Sequence, residues 1–220
     1  MSRATWFGAV LAALVALALV LWRDDAGRET LEISPEPVRV EVAGHPFAIP
    51  RNALRFPGER RPGPQERLDL ALLAPEWVGR TLANAARFDE PAATSDVVWV
   101  TIAKATGEMD SAARLATVYS RVFEGDPLPA PEGLGLIGRR LAAKAGYVGE
   151  EVWFEPGVVR PFVARCWPLA PNGPVTTCLV EKTVGDLTIA RRFPRTRLGD
   201  WRMLIDGLDA RLAEWGVPVR

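Results

Sequence analysis

The first twenty-two residues contain the feature that most limits how this chain can fold. From Ala4 to Trp22 the sequence runs for nineteen residues without a charged side chain. At a rise of about 1.5 Å per residue, a helix of this length spans a hydrocarbon core of roughly 30 Å. Trp6 and Trp22 stand near the two ends of the run, where indole rings commonly lie at a membrane interface. The sequence therefore predicts a membrane helix, with residues 4–22 in contact with the membrane.

A cleaved signal peptide is the alternative interpretation of this run. Signal peptides carry a shorter apolar stretch, of about 7–15 residues, followed by a small-x-small cleavage site. Here the obvious small-x-small triplets lie inside the apolar run, and the segment Trp22-Arg23-Asp24-Asp25 offers none. We therefore interpret residues 1–22 as a transmembrane signal anchor, residues 23–37 as a polar tether and residues 38–220 as a soluble domain.

The orientation of the anchor is not decided by its flanking basic residues. Arg3 precedes the span, whereas Arg23 and Arg28 follow it, so the positive-inside rule gives no clear answer. A short polar head before a long apolar run is typical of a bacterial signal anchor and favours an N-terminus inside the cell. We expect a single-pass protein of the inner membrane with its C-terminal domain in the periplasm.

The rest of the chain shows the hydrophobic period of strands over many short runs. Val38, Val40 and Val42 alternate with other residues, which is the pattern of a half-buried strand, and Gly44-His45-Pro46 is a turn signal. With residues 47–49, this run predicts a hairpin. Further strand-like runs cover residues 68–72, 97–103, 134–141, 151–154, 161–167, 175–183 and 187–193.

Two segments have a helical period instead. Residues 110–123 place apolar side chains on one helical face, and Asp110 or Ser111 can cap the start. An apolar stripe also runs from Leu198 to Trp215 through Trp201, Ile205, Leu208 and Leu212. Because strands and helices do not alternate regularly, we predict an α+β fold, an antiparallel sheet with two helices packed on one face.

The composition fits a globular domain with no global attraction for nucleic acid. Lysine and arginine number 27, as do aspartate and glutamate, so the formal net charge is zero. We therefore predict no nucleic-acid partner. The 48% of hydrophobic residues and the eight tryptophans indicate a substantial core.

The only two cysteines, Cys166 and Cys178, are equidistant from Asn172. Asn172-Gly173 is a strong turn signal, so the flanking strands are expected to pair and to place the two thiols opposite each other. A loop of two residues at the turn shifts this register by one. A metal site needs further ligands, and the single histidine is remote in sequence. In an oxidising compartment we predict a disulfide between Cys166 and Cys178, and in the cytoplasm two buried thiols.

No motif for catalysis or for a cofactor is present in the sequence. There is no phosphate-binding loop, dinucleotide fingerprint, zinc-protease motif, EF-hand loop or C-x-x-C pair. His45 precedes Pro46 at a predicted hairpin tip and is interpreted as a turn residue, with a catalytic role as the alternative. We therefore predict no catalytic residue, no metal and no cofactor.

Two stretches are candidates for contact with a protein partner. The basic segment from Arg55 to Arg67 can hold an acidic patch, although a solvated loop is the alternative. The long connection from Ala74 to Ser95 is of the kind that often binds partners or is disordered, and packing against the domain is the alternative for its Trp77. The predicted partner-binding residues are Arg55, Arg60, Arg61, Arg67, Trp77 and Arg80.

The anchor followed by VRVEVAGHPFAIPRNALRFP, and the tail containing FVARCWP, TTCLVEK and LTIARRF, resemble single-pass membrane-anchored periplasmic proteins of Gram-negative bacteria. That resemblance implies a location and carries no named activity. Our leading hypothesis is a non-enzymatic accessory or scaffold subunit that binds a protein partner. The alternatives are an immunity-type inhibitor of a toxin that acts in the periplasm, and a hydrolase or ligand-binding domain without a recognisable motif.

Overall fold

The computed structural model describes residues 32–90, 95–168 and 175–219. The predicted anchor at residues 4–22, with Trp6 and Trp22, lies outside the described residues, as does the turn at Asn172-Gly173. Among the helices within the described ranges, none is long and apolar enough to cross a membrane.

The described part of the chain contains eleven strands and three α-helices, joined by loops and short 3-10 turns. The strands are β1 (Pro37–Val42), β2 (His45–Pro50), β3 (Gly63–Pro64), β4 (Arg67–Leu73), β5 (Val97–Lys104), β6 (Phe123–Leu128), β7 (Ile137–Leu141), β8 (Glu151–Phe154), β9 (Val163–Pro168), β10 (Val175–Val184) and β11 (Leu187–Pro194). The helices are α1 (Ala85–Phe88), α2 (Ser111–Thr117) and α3 (Trp201–Glu214).

Eight strands form one antiparallel sheet in the order β4-β5-β11-β10-β9-β8-β7-β6. The predicted hairpin is also present, because β1 pairs antiparallel with β2, and β3 joins β1 to complete a three-stranded sheet. The α+β class and the antiparallel sheet are therefore confirmed.

The main core lies between one face of the large sheet, the small sheet and α3. The valines predicted to face inward in β1 pack there, together with Leu68, Leu70 and Leu72 of β4. Helix α3 contributes Trp201, Leu204, Leu208 and Leu212 to the same core, and Leu198 enters it from the 3-10 turn before the helix. The predicted apolar stripe is confirmed, except that Leu204 takes the buried position and Ile205 lies at its edge.

The expectation of two helices on one face is wrong, because α2 packs on the face opposite to α3. Tyr119, which follows α2, is buried in a second cluster with Val152 of β8 and Val163 of β9. Their chain neighbours Trp153 and Ala164 belong to the main core under α3. Since successive residues of a strand point to opposite faces, the two clusters lie on opposite sides of the sheet.

The helix predicted over residues 110–123 is shorter than its period suggested. Asp110 caps it as expected, because its Oδ1 accepts a hydrogen bond from the Ala113 N–H at 2.9 Å. The helix ends at Thr117, a 3-10 turn follows, and Phe123 begins β6 by pairing with Leu141. The helix does not extend into β6, because Gly125 and Pro127 of this strand are unfavourable inside a helix, whereas the aromatic Phe123 suits a sheet surface.

The strand predicted over residues 134–141 begins only at Ile137. Gly133 and Gly135 adopt left-handed φ angles of 77° and 69°, which a continuous strand does not allow. Leu134 and Leu136 are still buried in the main core, as their apolar character predicts. Only their assignment to a strand was wrong.

The predicted disulfide is present. Cys166 of β9 lies directly opposite Cys178 of β10, both side chains are buried, and the two sulfur atoms are bonded. A register shift in β10 between Val175 and Thr177 produces this alignment, because Val175 pairs with Pro168 whereas Thr177 pairs with Trp167. A disulfide fits an oxidising compartment.

All of the described residues lie in one compact unit, Glu32–Arg220. The last part of the predicted tether belongs to it, because the carbonyl oxygens of Ser34 and Glu36 accept hydrogen bonds from the Asn52 and Arg51 N–H groups, each at 3.0 Å.

Candidate protein-binding groove

On the α2 side, no helix of the described residues lies over one half of the large sheet. Helix α2 covers the region of β8 and β9, and leaves the side chains of β4, β5, β11 and β10 exposed to a concave space of about 340 Å³. Strand alternation places small side chains on this floor. They are Thr101, Ala103, Thr183, Thr188 and Ala190. We call this space and its lining the charged groove.

Charged side chains surround the small floor. Arg55 and Arg67 line the groove on the β4 side, and Arg114 of α2 lines it on the β10 side. Lys104, Glu108 and Asp110, from the end of β5 and the loop before α2, also line it, as do Asp69, Glu181 and Arg192. The surface is concave because the short side chains of the floor lie between longer charged side chains.

Several of these charges neutralise one another. Arg114 Nη1 lies 3.2 Å from Glu181 Oε2, and its Nη2 lies 3.4 Å from Glu108 Oε2. Arg67 Nη2 lies 2.7 Å from Asp69 Oδ2, an ion-pair distance without the alignment of a hydrogen bond. These pairs fix the β10 side and the floor of the groove.

Two arginines of the groove have no such partner. Neither Arg55 nor Arg192 forms an ion pair with a carboxylate of the described residues, and the same is true of Lys104. Both arginine side chains are exposed, and the guanidinium of Arg55 stacks over the Phe56 ring at 5.1 Å from its centroid. Their charge is therefore available to a binding partner, and it favours an acidic one.

A buried pair of carboxyl groups holds the Arg55 segment against β4. Glu59 is 8% exposed, and its Oε1 accepts a hydrogen bond from the Asp69 N–H at 3.0 Å. The Asp69 carboxylate accepts a hydrogen bond from Thr101 Oγ1 at 2.6 Å. Burial raises the pKa of Glu59 from 4.5 to about 7, with a further contribution from the charge of Asp69.

Sequence reasoning missed this pair. The sequence contained one hint, the carboxylate of Asp69 inside a strand-like run. Its partner Glu59 lies ten positions earlier, in a segment that could be interpreted as a solvated loop.

The predicted basic residues therefore separate into two groups. Arg55 and Arg67 line the charged groove. Arg60 does not, because its guanidinium donates hydrogen bonds to the Leu54 carbonyl at 3.0 and 3.2 Å and to the Arg55 carbonyl at 3.1 Å. Arg61 is exposed outside the groove lining.

Of the two interpretations of Trp77, the structure supports packing against the domain over contact with a partner. Trp77 is 8% exposed and its indole packs against Gly207 of α3, so the ring belongs to the main core. Arg80 is bound to residues of its own connection, since its Nη2 lies 2.6 Å from Asp89 Oδ1 and its guanidinium stacks over Phe88. Both residues fasten the Ala74 to Ser95 connection to the domain.

His45 lies at the start of β2, where it forms an exposed contact with a second hairpin. Its Nε2 is 2.7 Å from Asp186 Oδ1, in the turn between β10 and β11. This hydrogen bond lowers the pKa of the Asp186 carboxyl. Within the described ranges, no cluster of three or more His, Cys, Asp or Glu side chains is arranged to hold a metal ion.

Comparison with known proteins shows the fold. No protein-family model and no curated protein sequence matches the chain. Its structure is similar to that of Smlt3025, an immunity protein of the Stenotrophomonas maltophilia type IV secretion system, at 14% identity and a TM-score of 0.55. That match covers 83% of this chain and 94% of the other. The iron-regulated outer membrane lipoprotein FrpD of Neisseria meningitidis matches at 13% identity and a TM-score of 0.49, over 83% of this chain and 97% of that one.

Proposed function

We propose that this chain is a non-enzymatic, immunity-type protein, which binds a toxic partner protein in its charged groove and blocks it. The observation that carries the proposal is the open half of the large sheet, with a floor of small side chains and two arginines, Arg55 and Arg192, without a carboxylate partner among the described residues. The shared fold with an immunity protein supports the choice of the immunity class over an accessory or scaffold subunit.

The lining of the groove suits a protein segment. Most of its side chains are charged or are threonines, whereas small-molecule sites are usually mostly apolar. Cations that lack partners attract an acidic segment and favour its rapid association. We therefore expect the partner to present aspartate or glutamate side chains to Arg55 and Arg192.

The same proposal places the domain in the periplasm, anchored in the inner membrane by residues 4–22. The Cys166–Cys178 disulfide supports an oxidising compartment. Alkaline phosphatase fused after Arg220 tests the orientation, because the enzyme is active only where its own disulfides form. We expect activity, and an inactive fusion contradicts the periplasmic location.

The binding function is tested by charge reversal in the groove. The full-length protein is purified from its native membranes together with its bound partner, which is identified by mass spectrometry. We expect Arg55→Glu combined with Arg192→Glu to abolish co-purification. Arg39→Glu combined with Arg140→Glu is the matched control, since both residues are exposed and lie outside the groove lining. Equal loss of the partner from both double variants rejects the groove as the binding surface.

The immunity class needs a second measurement. The identified partner is expressed in the periplasm of a sensitive host, alone and together with this chain. We expect the partner alone to stop growth, wild-type protein to restore it, and the Arg55→Glu, Arg192→Glu variant to fail. A partner that binds but does not harm the host assigns the chain to the accessory class instead.

A further inference from the structure

A second cavity, of about 310 Å³, lies where β9 no longer pairs with β10. The last pair between these strands joins Leu179 to Arg165, and from there to Val184 β10 is paired with β11 and not with β9. At this point the Glu181 N–H donates its hydrogen bond to Ser111 Oγ of α2 at 2.8 Å. The sheet therefore opens between β10 and the segment that leads into β9, and α3 closes the space from below. We call this cavity the aromatic pocket.

Two stacked rings form one wall of the aromatic pocket. The rings of Phe162 and Trp201 have centroids 4.3 Å apart and planes inclined by 27°. Trp201 is held in place, because its Nε1–H donates a hydrogen bond to the Leu134 carbonyl at 3.1 Å. Ile205 and Val163 extend the apolar lining. The guanidinium of Arg202 also stacks over the Trp201 ring, 4.4 Å from its centroid, so both faces of the indole are covered. A flat apolar group can therefore contact the Phe162 ring and the edge of Trp201, which match it in polarity.

The pocket is also lined by cations, one of which is almost fully buried. The Arg191 side chain is 1% exposed, and its Nη2 donates a hydrogen bond to Asp209 Oδ1 at 2.5 Å. The Nε of Arg191 is buried without a hydrogen-bond partner among the described residues. Lys182 also lines the pocket, and its Nζ donates to the Val219 carbonyl at 2.8 Å.

One of the pocket's cations has no carboxylate partner. Three carboxylates and three cations line the pocket, namely Asp110, Glu181, Asp209, Arg160, Lys182 and Arg191. Asp209 pairs with Arg191, Asp110 lies 3.9 Å from Arg160, and Glu181 is paired with Arg114. Lys182 forms no ion pair with a carboxylate of the described residues, and its Nζ contacts the uncharged Val219 carbonyl. This cation, next to an apolar wall, is complementary to a carboxylate attached to a flat apolar group.

We infer that the aromatic pocket binds a ligand that joins a flat apolar group to a carboxylate. The apolar group lies against Phe162 and Trp201, and the carboxylate faces Arg191 and Lys182. Such a ligand is either a free aromatic acid or the C-terminal end of a polypeptide that finishes in an aromatic residue. The inference goes beyond the proposed function and does not depend on it.

Two probes, each compared with its own amide, test the inference on the full-length chain by calorimetric titration. The probes are 3-phenylpropionate and the tripeptide Gly-Gly-Phe with a free C-terminus, so the two possible sources are measured separately. We expect at least one acid to bind with an affinity about tenfold or more above that of its amide. The preferred acid identifies the source. Equal binding of acid and amide, or no binding of either acid below about 10 mM, overturns the inference.

Substitutions locate the bound carboxylate. Asp209→Asn keeps an oxygen acceptor for Arg191 and removes the negative charge, so we expect it to strengthen binding of the preferred acid about threefold or more. Phe162→Ala removes half of the aromatic wall, and it is expected to weaken binding of the acid. Asp206→Asn on the same helix is the control, because it makes the same chemical change outside the pocket lining. An unchanged affinity in Asp209→Asn contradicts the placement of the carboxylate.

The experiment remains decisive if a pocket variant does not fold, since the comparison of acid with amide uses wild-type protein. It also separates this inference from the proposed function. The groove variant Arg55→Glu, Arg192→Glu changes no residue of the aromatic pocket, so it is expected to bind the probe as wild type does. Loss of the partner with retained probe binding supports both ideas, whereas loss of the probe in that variant contradicts the independence of the two sites.

Discussion

Gly207 of α3 lies directly beneath the indole of Trp77. A Cβ atom at position 207 overlaps Trp77 Nε1 and approaches Cε2 to 3.1 Å. Glycine inside a helix is less favourable than alanine by about 1 kcal/mol, so its presence here reflects the close approach of the ring. The contact connects the long Ala74 to Ser95 connection to the helix that closes the main core.

Gly207→Ala is therefore expected to destabilise the domain, although alanine is the better helix former. Overpacking of this kind typically costs about 1–3 kcal/mol. Urea unfolding followed by tryptophan fluorescence measures the change. Gly199→Ala is the control, because a Cβ there meets no atom within 4 Å, and its free energy of unfolding is expected to stay within about 0.5 kcal/mol of wild type. A neutral or stabilising Gly207→Ala contradicts the close contact.

The disulfide between Cys166 and Cys178 is expected to stabilise the domain by about 3 kcal/mol in the chain-entropy model. The two cysteines are 12 positions apart. Replacing both by alanine is expected to lower the free energy of unfolding by that amount, measured in urea without reductant.

Reductant supplies the internal control for the disulfide. It is expected to lower the stability of the wild-type protein and to leave the double alanine variant unchanged. A thiol-reactive probe is expected to label the denatured wild-type protein only after reduction, and labelling of both cysteines beforehand means that the bond does not form.

The stability of the domain is expected to fall as the pH rises from about 4.5 to about 7 because of Glu59. Its pKa is raised from 4.5 to about 7 on folding, so the folded state retains a proton that the unfolded state has already released. The contribution is fully present below 4.5 and is lost as the pH rises through 7. The loss is at most about 3 kcal/mol, and urea unfolding at a series of pH values measures it.

Glu59→Gln isolates this effect. The amide does not ionise and its oxygen can still accept the Asp69 N–H hydrogen bond, so the decline between these pH values is expected to flatten. Glu66→Gln, in the same basic segment but exposed, is expected to retain the wild-type profile. If the profiles of Glu59→Gln and wild type coincide, the buried carboxyl group does not cause the decline.

His45→Ala is expected to raise the pKa of Asp186 toward its ordinary value of 3.8. The hydrogen bond from His45 stabilises the carboxylate form, so its contribution to stability is present above that ordinary value and is lost as the pH falls through the lowered pKa. Both side chains are exposed, so the global stability is expected to change little. A carbon-detected NMR titration of the Asp186 carboxyl measures the shift, and an unchanged pKa excludes the contact in solution.

The hydrophobic period predicted most of the strands, because the alternation of buried and exposed side chains along a strand appears directly as an alternation of residue types in the sequence. Val38 to Val42 and Glu151 to Phe154 are strands as expected, and Trp201, Leu208 and Leu212 lie on the buried side of α3. The hydrophobic period was a less reliable guide around Phe123, which the helical pattern includes but which pairs with another strand instead. Its partner in that pairing, Leu141, lies eighteen positions later in the sequence, too far away for a local pattern to reveal.

The charged groove was predicted only in part. A basic segment in sequence identified Arg55 and Arg67 as candidates, and both line the groove. Arg192 was missed, since in sequence it is one more polar position of an alternating strand. For Trp77 the sequence left two interpretations open, partner contact and packing against the domain, because a long loop does not reveal that the ring packs against Gly207.

The sequence alone determined the local properties of this protein: the strand and helix periods, the cap at Asp110, and a cysteine spacing compatible with a disulfide across two strands. Only the tertiary structure decided which face of the sheet each helix covers, and therefore which half stays open. It brought Arg55 and Arg192 to one groove, and it brought Arg191, Phe162 and Trp201 to one pocket. The physical reason is that alternation fixes two faces for every strand, whereas the choice of face for a helix depends on long-range packing that no local pattern encodes.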